Sequence, residues 1–206
     1  AARDSLTGDR RAAGDDDDDA GTDAPSPKRT IADKIIAAVL DTGVELFHDA
    51  APDAYATIVI NGHQETYALR SREFRSRVER LYYRATGSAP TRAAYEDARG
   101  VLIGRARHDG PEHPVHVRTA EHDGKIYLHL ADADRRVVEI GPDGWRVVAQ
   151  SPVRFRLARG MMPLPVPVTG GSVNELRPFV NVGSDADFVL MVAWLLAALR
   201  PRGPYP

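Results

Sequence analysis

No cysteine occurs among the 206 residues, which excludes disulfides, thiolate zinc sites and cysteine nucleophiles together. No apolar run approaches the roughly 20 residues that a membrane crossing needs, and no charged-then-apolar leader opens the chain. A cytoplasmic protein with no membrane partner is therefore expected. Two signatures of chemistry are also missing. There is no Gly-x-x-x-x-Gly-Lys-Ser/Thr loop to cradle a nucleotide phosphate and no Gly-x-Ser-x-Gly elbow to present a serine nucleophile. Charge of one sign is lacking only in the sum. The net value of -2 conceals segregation: residues 1–30 carry eight Asp against five Lys or Arg, whereas residues 70–107 carry ten Arg against four acids. Such a local positive excess is informative in a way the total is not.

What is present reads as an α+β chain. Residues 1–30, with Asp15 to Asp19 and almost no large apolar groups, have nothing to offset the entropy of ordering and read as a disordered acidic linker. Thr30 caps a predicted helix that buries Ile31, Ile35, Ile36, Val39 and Leu40 and ends at Gly43. Glu45–Asp49, Ala54–Ile60 and His63–Leu69 read as strands, the last two joined by Asn61-Gly62, a pair suited to the positive φ angles of a type I′ hairpin. From Ser71 the period becomes helical, with Phe74, Val78, Leu81, Tyr82 and Ala85 on one face and Gly87 as terminator. A second helix over Thr91–Arg107 buries Tyr95, Ala98, Val101 and Leu102, so an antiparallel helical pair with an arginine-rich exterior is expected. An antiparallel meander follows, with strands Val115–Ala120, Lys125–Leu130, Val137–Ile140 and Trp145–Val148 and turns at Asp123-Gly124 and Asp143-Gly144. Val153–Leu157 adds a further strand.

Met161 to Pro167 holds three prolines, which forbid regular hydrogen bonding and predict an extended strap. It leads to a short helix near Val173–Phe179 and then to a helix capped by Ser184. Every position from Phe188 to Leu199 is apolar. A helix apolar on all sides needs covering on all sides, and twelve residues rise only about 18 Å. The expected cover is protein, supplied in part by chain outside these 206 residues. The domain expectation is thus a linker over 1–30, an α+β accessory domain over 31–160, and a strap with apolar helix over 161–206.

Three constellations can carry chemistry. Asp132 and Asp134, at the end of the strand Ile126–Leu130, have the spacing of paired carboxylates for a divalent metal, although Asp-Ala-Asp is equally what a polar turn contains. His113 and His116 lie three apart in or beside a strand and point to opposite faces, so they do not converge on one ion. Arg72, Arg75, Arg80 and Arg84 on one helix, with Arg92, Arg99 and Arg105 on the next, can meet a phosphate backbone, with Tyr82 or Tyr83 for base stacking. The competing reading pairs these arginines with Glu73, Glu79, Glu96 and Asp97 at helical spacing. Arg135, Arg136, Arg146, Arg154, Arg156 and Arg159 form a second positive stretch.

Tyr127-Leu128-His129-Leu130, Val137-Val138-Glu139-Ile140, Pro142-Asp143-Gly144-Trp145, Pro152-Val153-Arg154-Phe155-Arg156, Met162-Pro163-Leu164-Pro165 and Glu175-Leu176-Arg177-Pro178-Phe179-Val180-Asn181-Val182 together resemble the region before the ATPase core in primase-helicase-like ATP-binding proteins of phages and mobile elements in high-GC bacteria. The likeness runs from about Glu45 to Pro206. It implies a non-catalytic accessory module of a DNA-replication ATPase, touching DNA through the helical pair and contacting the ATPase core. ATP and Mg would belong to that core, not to residues of this chain, and the primase part of the family is not recognisable here. The alternative within the same family is an oligomerisation domain that never meets nucleic acid.

Overall fold

The computed structural model describes residues 29–200 and Gly203, so the expected linker and the Pro-Tyr-Pro tail lie outside the described residues. The chain folds as the mixed α+β arrangement that its patterning predicts. α1 (Ile31–Leu40) is closed at its N-terminus by a capping box, in which Thr30 and Asp33 satisfy each other's backbone amides. β1 (Glu45–His48), β2 (Ala54–Ile60) and β3 (His63–Ala68) form an antiparallel sheet in that order. The β2–β3 turn is Asn61-Gly62, with φ of 50° and 86° as a type I′ turn requires. α2 (Arg72–Thr86) starts at the Ser71 cap and stops at Gly87 in the left-handed conformation, while α3 (Arg92–His108) starts at the Thr91 cap.

The main core joins these pieces. Ile35 and Val39 of α1, Phe74, Val78 and Tyr82 of α2, and Tyr95, Ala98 and Leu102 of α3 pack with Ala54 and Ala56 of β2. β2 is buried at five successive positions from Ala54 to Ile58, so both faces of the sheet are covered. α1 packs against both α2 and α3, and Tyr95 reaches between them, with the Arg75 guanidinium 5.1 Å and the Arg99 guanidinium 5.8 Å from its ring centre. Val101, expected in the core, is instead 48% exposed: it sits next to Leu102, which claims the inward position of that turn.

The meander is β5 (Thr119–His122), β6 (Lys125–His129), β7 (Val137–Gly141) and β8 (Gly144–Val148), paired antiparallel in sequence order. Two details differ from the pattern. The strand expected over Val115–Ala120 divides, and β4 (Val115–His116) leaves the meander to pair in parallel with β9 (Arg154–Phe155). The last turn is Pro142-Asp143, because Gly144 already pairs with Gly141. A second core of Ala120, Tyr127, Val137, Val153 and Phe155 lies under this sheet.

The first sheet is tied to the chain after β8. Glu45 of β1 accepts two hydrogen bonds from Arg154 at 2.7 and 2.9 Å, Gln150 donates to the Gly62 carbonyl, and Thr66 of β3 bridges in parallel to Arg156. Beyond β9 the proline strap is irregular, held by Leu164 donating to the Leu130 carbonyl at 2.8 Å and by Arg118 donating to that of Met162 at 3.0 Å. A 3-10 turn over Val173–Phe179 and α4 (Asp185–Ala198) follow. The described residues do not cover α4: Val189, Leu190, Trp194 and Leu196 stand more than half exposed, and of its residues only Phe188, under the Arg177 guanidinium, is buried. No helix among the described residues is long and apolar enough to cross a membrane.

Candidate functional site

The alignment of β3 with the chain around Arg156 opens a cleft of about 940 Å³ between α2 and the segment from Phe155 to Met161. α2 supplies one wall. Residues 72, 76 and 80 follow one another at helical spacing and place Arg72 and Arg80 on it. The facing wall carries Arg135, Arg156 and Arg159, and Tyr67, Leu157 and Met161 add apolar surface. None of these five arginines is ion-paired to a carboxylate among the described residues. Arg77, which also lines the cleft, is different: its guanidinium is committed to Glu65 and Tyr67 at 3.2 Å each.

The two positive stretches of the sequence therefore converge, but not as the helical pair suggests. Of the seven arginines singled out on the helices, Arg72 and Arg80 line the cleft. Arg75 is paired with Glu79 at 2.8 Å and Arg99 with Glu96, which is the alternative expected from helical spacing. Arg84, Arg92 and Arg105 are exposed and do not line it. Tyr82 is buried in the core and unavailable for stacking, whereas Tyr83 is 61% exposed. Arg146 and Arg154 of the second stretch are consumed by Glu139 and Glu45.

Asp132 is engaged as the hub of a turn. Its two carboxylate oxygens accept from the Arg136 amide at 2.8 Å and the Arg136 guanidinium at 2.6 Å. Burial alone would raise its pKa, but those hydrogen bonds outweigh it and hold the carboxyl below its usual value. The turn is strained, with Ala131 and Arg135 at φ of 56° and 53°, conformations that non-glycine residues adopt only when their surroundings impose them. Asp134 is exposed and reaches only Arg136, at 3.8 Å. The histidine pair diverges as its spacing implies: His113 faces Glu45 and Phe47, while His116 tilts against Phe155. Among the described residues no three His, Asp or Glu side chains gather as a metal site.

At the inner end of the cleft lies His129, 2% exposed and stacked on Phe155 with ring centres 5.2 Å apart. Burial, and then the positive charges of Arg135 and Arg118, push its pKa down to about 4, against a hydrogen bond with the Val117 backbone and the pull of Asp132. Its Nδ1 has no hydrogen-bond partner. Nothing in the sequence marked it apart from six other histidines, since its burial depends on pairings far along the chain.

Comparison of the chain with protein-family models, curated proteins and solved structures finds no match.

Proposed function

We propose that this chain is a non-catalytic nucleic-acid-binding module, with the arginine-lined cleft as its contact surface. The observation that carries the reading is the convergence of five arginines, none paired with a carboxylate among the described residues, from three separate parts of the chain on one concavity. Guanidinium groups left unneutralised at such a place suit phosphates, which they grip in bidentate fashion. A concave groove with apolar surface between its basic walls fits a single strand, whose bases are free to meet that surface, better than a duplex. The motif likeness described above favours DNA and a place beside the motor of a replicative ATPase, whose ATP and Mg would be bound outside this chain.

The test is binding of labelled oligo(dT) across a salt series. If four of the cleft arginines meet phosphates, log K falls against log salt with a slope of about -3. Arg72, Arg80, Arg156 and Arg159 changed together to Glu abolish that dependence, while Arg92→Glu with Arg105→Glu leaves most of it. No binding by the unmodified chain at low salt would overturn the reading.

The exposure of α4 favours a second reading, an oligomerisation domain of the same ATPase that does not meet nucleic acid. In that case there is no oligonucleotide binding to lose, and charged substitutions on α4, not the fourfold arginine variant, alter the size of the assembly.

A further inference from the structure

The proposed function leaves unexplained why a histidine is buried at the end of a basic cleft with a ring nitrogen unsatisfied. Buried polar atoms without partners are uncommon and each calls for a physical reason. Here the surroundings are specific. Next to the cleft, and sharing Gln64, Thr66, His129, Arg135 and Phe155 with it, is a second, small space of about 10 Å³ that Ser151 also lines, room for about one water. At the same point Arg135 lines both the cleft and the narrow space, presented there by the strained turn that Asp132 and Arg136 clamp.

We propose that this inner end, where Arg135 stands beside His129, is a subsite for a single phosphate group, and that filling it places a proton on His129. The inference rests on the cleft being the nucleic-acid contact. The charges around the ring decide its direction. From the β6–β7 turn come Arg135 and the carboxylate of Asp132, the latter already shared with Arg136. Ahead of β5, Arg118 donates to the His129 carbonyl at 3.0 Å. β4 brings His116, tilted on Phe155, and Arg154 of β9 is turned away to Glu45. β3 contributes uncharged Gln64 and Thr66, with Glu65 committed to Arg77, and β7 contributes Val137. The unliganded ring thus sits buried among mostly positive charge and stays neutral. A phosphate held by Arg135 offsets the positive charge beside the ring and makes the imidazolium the favoured form. The proton is taken from solvent, so binding through this subsite tightens as pH falls.

The ring itself can be watched. Imidazole nitrogen NMR of the whole chain at about pH 6 shows His129 as a neutral tautomer. Saturation with oligo(dT), verified by anisotropy, converts its signal to the doubly protonated form, and inorganic pyrophosphate does so at higher concentration. Arg135→Gln, a change in a partly exposed turn, removes the conversion and weakens pyrophosphate binding roughly tenfold. A His129 signal that remains neutral while oligo(dT) is bound would sink the subsite and leave the cleft reading standing. If oligo(dT) fails to bind while pyrophosphate still protonates His129, the subsite stands and the nucleic-acid reading falls.

Discussion

His129 also sets an acid sensitivity that the unliganded protein should show. The folded chain holds it neutral down to about 4, whereas the unfolded chain accepts a proton near 6.5. As pH falls through that window the unfolded state binds the extra proton, so stability declines from pH 6.5 to about 4 and this contribution is flat below. The full effect is about 3 kcal/mol. Glu139 acts at lower pH and for the opposite reason. Hydrogen bonds from Arg146, Lys125 and Tyr127 depress its carboxyl to about 2, so its stabilisation is present above 4.5 and lost between there and about 2. Urea midpoints measured from neutral pH to pH 4 should therefore fall before ordinary carboxylates titrate, and His129→Gln should flatten that slope. An unchanged slope in the variant would mean that the ring is not held neutral by its surroundings.

At the level of elements, Gly110, in the turn after α3, has less room for a side chain than any other described glycine. A Cβ on Gly110 would stand 2.6 Å from the Ala106 carbonyl oxygen, closer still to that of Leu46, and 3.0 Å from the Phe47 Cα. All three are backbone atoms and cannot step aside as a flexible side chain would. Gly110→Ala is expected to cost about 1–3 kcal/mol, seen as a lower melting temperature with the helical circular dichroism of the folded state retained; an unaltered melting temperature would show that α3 and β1 can separate freely. Such approaches are invisible in sequence, where nothing sets Gly110 apart from other glycines outside the helices. What was legible is local: the caps at Thr30, Ser71 and Ser184, the Asn61-Gly62 hairpin and most of the helical faces depend on neighbours within a few positions. The candidate site was legible only as ingredients. Arg72 and Arg80, Arg156 and Arg159 were each conspicuous, but their meeting depends on β3 lying beside β9 and on the Gln150–Gly62 hydrogen bond, whose partners are 88 residues apart. The division of the Val115–Ala120 run has the same cause: β9, absent from any local window, draws β4 out of the meander.

For the molecule as a whole, the cleft and α4 are two surfaces with opposite demands. The cleft wants an anion, while α4 offers apolar side chains on every side, of which only Phe188 is buried among the described residues. Because its apolar character is not confined to a stripe, one face of α4 can pair with the same face of another copy while a second face remains free for the body of the protein. A net charge of only -2 does little to keep copies apart. Self-association through α4 is therefore the expected behaviour of this chain in dilute buffer. Light scattering coupled to size separation should show a mass above that of one chain and rising with concentration. Leu190→Glu with Leu196→Glu, both at exposed positions, should return it to one chain with the salt dependence of oligo(dT) binding unaltered. A single-chain mass at every concentration of the unmodified protein would contradict the expectation, and loss of oligonucleotide binding in the charged variant would mean that the two surfaces are coupled.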